Sequence, residues 1–190
     1  MLENFEGIQG KLADNWFSII DANILCKQPI NYLEIGVQCG GNFVSVGLSY
    51  GMHSGSKLYA VDPWEEFGDT HEQKAKQSMY YNNFMRNIHT FGLANKSLIY
   101  RGFSNKIVPN FPDKYFHIIY IDGNNKPEYV LEDAVIAFNK LSDGGIMVFN
   151  GYDFANPHLA KRGIDAFVSG YQNLIKVSEY VDKQMIVIKK

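Results

Sequence analysis

Cysteine is scarce in this sequence: Cys26 and Cys39 are the only two thiols in 190 residues. Their spacing fits no metal-binding pattern, and two cannot staple a disulfide-built scaffold, which points to a reducing, cytoplasmic setting. Long apolar runs are missing as well. None approaches the roughly eighteen residues of a membrane-spanning helix, and the opening stretch MLENFEGIQG carries acids and no apolar core of a targeting signal. A third absence is concentrated basic charge. The formal net charge is -2 and the Lys and Arg are scattered, so the basic face that nucleic acid or an anionic membrane requires is not there. No repeat, low-complexity segment or linker interrupts the chain. Residues 1–190 therefore read as one domain, with 1–28 as an N-terminal helical segment packed on it.

What the sequence does contain is a short β-rich run followed by a helical pattern, over and over. The runs are 32–35, 57–61, 97–101, 117–121, 146–149, 174–177 and 185–188. Most are continuously apolar rather than alternating, as in parallel strands covered on both faces. Helices are expected over about 3–25 and over about 43–52, the latter capped by Asn42. In THEQKAKQSMYYNNFMRNIHTFG, Tyr80, Phe84, Ile88 and Phe91 form one stripe, with Gly92 as a stop. In KPEYVLEDAVIAFNKLSDGG, Pro127 suits the first turn, Val130, Ala134, Phe138 and Leu141 face inward, and Gly144 with Gly145 ends the helix. A last helix starts at Asn156 and Pro157, with Leu159, Ala166 and Phe167 inward. The alternation predicts an α/β fold with a doubly wound, mostly parallel seven-stranded sheet. The last two runs are too close for a crossover helix, which makes the final strand antiparallel.

The stretch INYLEIGVQCGGNF ends the first strand in glycines, where ligands bind in such sheets. A phosphate loop would end in Gly-Lys-Ser/Thr, which is absent. A dinucleotide turn would read GxGxxG, but here Gln38 stands where the second glycine admits the pyrophosphate. A nucleoside ligand without phosphate needs only a sharp turn and close backbone approach. Asp62 closes the second run, in LYAVDPW, about twenty residues beyond the glycines, where a carboxylate accepts hydrogen bonds from two ribose hydroxyls. Alone, each glycine reads as a tight turn and Asp62 as a solvated strand end; the pairing at this spacing weakens both plain readings.

With those residues in view, the sequence resembles the class I S-adenosylmethionine (SAM)-dependent methyltransferases, in particular the small-molecule O-methyltransferase-like subgroup that reads IDG-x-H. LEIGVQCGGN is similar to their first motif, LYAVDPW to the ribose motif, and IYRGFSNKI to the Gly-x-Ser step after the third strand. HIIYIDGNNKPEYVLEDAVIAFNKLSDGGIMVFNGYDF resembles the fourth and fifth strands, and KRGIDAF a later helix. The resemblance implies a Rossmann-like methyltransferase fold with SAM as cofactor. It also implies that Glu34, Gly36 and Gly40 line the methionine part, and that Asp62 holds the ribose. By the same resemblance Phe103 and Ser104, with Asn105, would meet the adenine, and Asp122 would sit near the sulfonium and the substrate; Trp64, directly after Asp62 and Pro63, is expected to touch ligand.

Three positions depart from the family pattern. Asn125 replaces the His after IDG-x, and Asn150 with Gly151 replaces the paired acids after the fifth strand. In the branch resembling catechol O-methyltransferase those positions hold a divalent metal, but one charged ligand, Asp122, is poor for a hard cation, with Asp153 the nearby carboxylate able to substitute. A metal is therefore not expected. Asp122 is the best candidate general base, ahead of Tyr152, His117 and His158; His117 opens an apolar strand and reads as structural. The segment around Trp64, Tyr80, Tyr81 and Phe84 reads mostly as core, with a few members roofing the cleft. The Asp122-Gly-Asn-Asn turn lacks the Pro-Pro-aromatic signature of amino-methyltransferases, which again argues against nucleic acid. The expected activity is O-methylation of a small molecule or sugar. The alternatives are a cofactor-binding relative with lost or altered catalysis and an NAD-dependent oxidoreductase. Homo-oligomerisation is left open, since the N-terminal segment can pack on its own sheet or on a partner.

Overall fold

The computed structural model describes residues 2–17, 19–21, 27–64, 71–152 and 159–190. The expected start of the last helix at Asn156 and Pro157 lies outside the described residues, as do Cys26, Asp153, His158 and the side chain of Leu159.

Seven strands form one sheet: β1 (Asn31–Ile35), β2 (Lys57–Asp62), β3 (Ser97–Arg101), β4 (Phe116–Ile121), β5 (Leu141–Phe149), β6 (Ile175–Val181) and β7 (Gln184–Lys189). Their order is β3-β2-β1-β4-β5-β7-β6. The first five run parallel, and β7 lies antiparallel between β5 and β6. The β6–β7 turn needs only Asp182 and Lys183, both at positive φ (44° and 66°), the backbone of a two-residue type I′ hairpin. The doubly wound sheet with its antiparallel strand is the one the sequence pattern predicts.

The helices are α1 (Gly41–Gly47), α2 (His71–Thr90), the single turn α3 (Ser104–Ile107), α4 (Pro127–Lys140) and α5 (Leu159–Tyr171). They cover both faces of the sheet and create two cores. Because side chains alternate along a strand, Leu33 and Ile35 of β1 join Val61, Ile119 and Ile121 in the core under α4 and α5. Tyr32 points the other way, with Ala60, Ile118 and Tyr120, into the core under α1 and α2. Phe84 and Trp16 are fully buried in that second core; truncating either to alanine costs about 3–5 kcal/mol.

Four local expectations are corrected. Among the described residues of 3–25, only the 3-10 turn Ala13–Trp16 is helical. Gly7 and Gly10 adopt positive φ (91° and 65°), incompatible with a continuing helix. Asn42 is not a cap: α1 starts after Gly40, and the Asn42 side chain turns into the interior. Helix α4 stops at Lys140, four residues before Gly144, because Leu141 already begins β5; the glycines lie inside that strand. On α5 the buried stripe is Ala160, Ile164 and Phe167, while Ala166 faces solvent.

In place of a helix, residues 2–12 form an irregular strap over α1 and α2. Asn87 clamps it, accepting from Glu6 N (2.8 Å) and donating to Glu6 O and Cys39 O (both 2.9 Å). Farther along, Ala13 N donates to Ser45 Oγ (2.9 Å), and Lys11 pairs with Asp182 (2.6 Å). The strap crosses Gly41 so closely that a β-carbon there would overlap the Gln9 carbonyl. Gly41→Ala is therefore expected to lift the strap without breaking the sheet. Limited trypsin digestion read by mass spectrometry should show cleavage after Lys11 accelerated about tenfold or more, as expected when a local opening is made cheaper by about 1.4 kcal/mol; an unchanged rate would show that the strap tolerates the extra carbon.

Candidate functional site

The strand order reverses between β1 and β4, and the tips of the strands are stitched together there by backbone bonds. Asp122 N donates to Ile35 O (2.8 Å), Gly36 N to Val61 O (2.9 Å) and Asn150 N to Ile121 O (3.0 Å). Gly36 has φ +81°, and a β-carbon on it would overlap the Asp122 carbonyl, so only glycine lets β1 leave the sheet at this point. Above these tips lies a cavity of about 580 Å³, bordered by the strap residues Gln9 and Lys11 and by the turns after β1, β2, β3 and β4. That volume suits a cofactor-sized ligand.

Of the residues singled out from sequence, Glu34, Gly36, Asp62, Phe103, Ser104 and Asp122 line this cavity, as do Asn105 and Asn125. Gly40 and Trp64 do not border it. Gly40, at φ +82°, backs onto Phe84 and shapes the turn from beneath. Trp64 is fully buried, stacked on Phe84 at 5.2 Å and edge-on to Tyr81 at 5.1 Å, and its indole N–H donates to Gln38 O (2.9 Å). At φ +44° the residue after Pro63 turns inward and away from the ligand space. Of the aromatic segment on α2, Tyr80 reaches the cavity. His117 sits at the amino end of β4, opposite the site, where Nδ1 accepts from Asn31 N (2.9 Å). Tyr152 donates to Asp165 (2.7 Å), outside the cavity lining.

Three carboxylates dominate the electrostatics. Glu34 follows Tyr32 by two residues, so both point to the α1 face. There Glu34 accepts a very short hydrogen bond from the Tyr32 hydroxyl and one from Asn42 Nδ2 (3.2 Å). Burial lifts its carboxyl to about 8, against the pull of Tyr32 and Asn42, with Asp122 and Asp62 adding repulsion. Asp62 binds the backbone: Oδ2 accepts from Val37 N (2.7 Å) and Gln38 N (3.0 Å), and Oδ1 from Trp64 N (2.8 Å). Burial raises it too, opposed by those three N–H groups. Only about one of its four lone-pair positions is left for a ligand, so it has room for one ribose hydroxyl bond, not the two expected from sequence. Asp122 is lifted to about 7 by burial, partly offset by Asn150 Nδ2 donating to Oδ1 (2.9 Å), while Asp62 pushes it higher. No Lys or Arg pairs with any of the three among the described residues.

Sequence reading missed three contributors. Asn42 is 5% exposed and borders the cavity, and its Oδ1 has no partner. The strap is a second, hidden in a segment that reads as helix. Asp133 is the third: it lies on the inward face of α4 three residues after Val130, and an acid on an apolar stripe was the available signal. Ser104 Oγ donates to its Oδ1 (2.5 Å), and burial raises its carboxyl to about 6.

Among the described residues, no three His, Cys, Asp or Glu side chains are grouped to hold a metal ion, and Asn150 offers the Asp122 carboxylate an amide N–H. No helix of the described residues is long and apolar enough to cross a membrane.

Comparison with known proteins fits this geometry. Residues 33–152 match the family described as a methyltransferase domain. Among curated proteins no sequence match is found. Solved structures with a similar fold include the O-methyltransferase TomG from Streptomyces achromogenes in complex with SAM (16% identity, TM-score 0.64, covering 89% of this chain and 79% of that one). An O-methyltransferase from Bacillus cereus in complex with S-adenosylhomocysteine (SAH) is similar at 16% identity and TM-score 0.62, over 89% and 78% of the two chains. A SAM-dependent methyltransferase from Aquifex aeolicus is similar at 14% identity and TM-score 0.57, over 92% of each.

The raised carboxyls set a pH dependence for the ligand-free protein. A group whose folded-state pKa lies above its unfolded value stabilises the fold while protonated, and that contribution is lost as pH rises through the folded value. Glu34 goes from 4.5 to about 8 and Asp122 from 3.8 to about 7, so thermal stability should fall between about pH 4 and pH 8. Glu34→Gln, which cannot ionise, should flatten the upper part of that fall in melting curves recorded across this range. Parallel curves for the two proteins would show that the Glu34 carboxyl is not raised in the folded protein.

Proposed function

The chain belongs to the methyltransferase-domain family, and from that premise we propose that it transfers a methyl group from SAM to a hydroxyl oxygen of a small molecule or sugar. The observation that carries this reading is the set of carboxylates around one cavity, Glu34 and Asp62 buried and Asp122 half-buried, with no cationic side chain set against them among the described residues. Such a set calls for a ligand that brings its own positive charge and hydroxyls. The residues present suit SAM. The unpartnered Asn42 Oδ1 beside Glu34 is an acceptor for an ammonium group. Asp62 would take a ribose hydroxyl, and Phe103 and Ser104 would border the base.

Bound there, SAM would supply an electrophilic methyl group on a sulfonium, a good leaving group. The protein's part is positioning, worth about 7–11 kcal/mol of barrier, and proton transfer. One Asp122 oxygen is engaged by Asn150, leaving the other to accept the hydroxyl proton as the oxygen–methyl bond forms and the carbon–sulfur bond breaks. A carboxyl lifted to about 7 is a base matched to neutral pH, a contribution of roughly 10²–10⁴-fold in rate. The lining's carboxylates and amides, with Lys11 as its single Lys or Arg side chain among the described residues, favour a neutral, hydroxyl-bearing acceptor over an anionic one.

Calorimetric titration of chelator-treated protein with SAH tests the reading. Micromolar binding is expected, weakened about tenfold or more by Asp62→Ala, the loss of one charge-assisted hydrogen bond. NADH titrated in parallel should give no heat. Absence of SAH binding by the folded wild-type protein would overturn the proposal.

A further inference from the structure

Behind Glu34 lies a hydroxyl that the chemistry above leaves without a task. Tyr32 is fully buried on β1, its ring tilted against Phe43 of α1 at 5.9 Å. A phenylalanine ring would fill the same core space, so packing does not ask for the hydroxyl. That hydroxyl donates to Glu34 Oε2 and accepts from Asn42 Nδ2 (2.8 Å), which also reaches Glu34 Oε2 (3.2 Å). Because the tyrosine proton is committed to Glu34, the hydroxyl can only accept from Asn42, which fixes Nδ2 inward and leaves Oδ1 without a partner.

The other groups facing Glu34 bring it no positive charge. In register beside it stand Ala60 on β2 and Tyr120 on β4, whose hydroxyl accepts from Gln184 (3.2 Å). Asp62 and Asp122 repel its charge. Lys11 on the strap, the single Lys or Arg in the lining among the described residues, is held by Asp182 (2.6 Å). A carboxyl buried in such company rests as a neutral acid. Two donors occupy Oε2, so its own proton belongs on Oε1. The carboxyl then offers an incoming ammonium group a donor where an acceptor is needed.

We infer that Tyr32 is a positioning residue for the cofactor's amino end: by donating to Glu34 it tips that acid toward the ionised form an ammonium group requires, and so sets the pH above which the cofactor binds tightly. This rests on the methyltransferase reading, which puts the methionine part beside Glu34. Burial, with the Glu34 charge added, holds the Tyr32 hydroxyl far above the usual tyrosine range, so it remains a donor while Glu34 titrates. Burial lifts Glu34 to about 8, and the Tyr32 hydrogen bond is the foremost contact pulling it back. Without that hydroxyl the carboxyl rises further. Affinity for a ligand that needs the ionised acid climbs with pH until the acid has titrated and levels off above.

Calorimetric titration with SAH across pH, on wild-type protein and on Tyr32→Phe, separates this role from a structural one. The ligand's own titration is common to both proteins and cancels in the ratio of their dissociation constants. Tyr32→Phe should bind about tenfold more weakly than wild type near pH 6.5, the loss of one hydrogen bond to a carboxylate, and within about threefold of it near pH 9. A loss of the same size at every pH would make the hydroxyl a packing contact, and no loss at any pH would remove it from the site; either result overturns the inference. Independently of the variant, wild-type protein titrated near pH 7 in two buffers of different ionisation enthalpy should release at least about half a proton per SAH bound. Zero release would show that Glu34 is ionised before the ligand arrives, and would overturn the inference as well. Failure of wild-type protein to bind SAH at any pH would instead bring down the methyltransferase reading, and this inference with it.

Discussion

The Asp62 carboxylate organises the loops around it. With its three hydrogen bonds it takes up the amides of Val37 and Gln38 on one side and of Trp64 on the other. The turn after β1 and the exit from β2 therefore hang from one side chain. Both flanking residues pay in backbone conformation, since Gln38 and Trp64 are non-glycine residues at positive φ. Held there, Gln38 O accepts the Trp64 indole N–H, and that ring locks against Phe84 on α2. Site and core are thus continuous: the loop that borders the ligand is fixed by an acid at a strand tip and by an aromatic wedge behind it.

Much of this was legible in the sequence because strand patterning and the reach of the backbone are local properties. Continuous apolar runs gave parallel strands, and a short spacing gave the antiparallel hairpin at 182 and 183. Asp62 stood out because it follows the glycines at the distance set by one strand–helix–strand unit. What escaped depends on contacts between distant segments. Asn42 looked like a cap until its amide was seen beside Glu34, an interaction with another element. Trp64 read as a ligand contact because it directly follows Asp62 and Pro63 at a strand end, yet its conformation turns it inward. The strap reads as helix by composition, but Gly7 and Gly10 break it, and its order comes from Asn87 and Gln184, far along the chain.

The buried acids give the ligand-free site an electrostatic character of its own. Glu34 and Asp122 titrate near neutrality because burial disfavours their charge, and each ionised neighbour makes the next ionisation harder. A cationic ligand reverses that balance. Its arrival draws the carboxyls toward their ionised forms, so binding and proton release are linked. Neutral hydrogen-bond donors, Tyr32 and the amides of Asn42 and Asn150, hold the acids in place without quenching them, as lysines in the same positions would.

The strap also has a consequence for the order in which the molecule is assembled. Lys11 pairs with Asp182, and Trp16 Nε1 donates to Gln184 Oε1 (2.7 Å), whose amide in turn donates to Tyr120 (3.2 Å). The first two of these bonds join residues separated by about 170 positions. During synthesis residues 2–16 leave the ribosome well before two of their partners, Asp182 and Gln184, are made. Strands β1 to β5 can pair as they emerge and the strap can dock on Asn87 and Ser45, but the bonds from Lys11 and Trp16 wait for the β6–β7 hairpin. The strap over the cavity is then fully fastened only once that hairpin has formed.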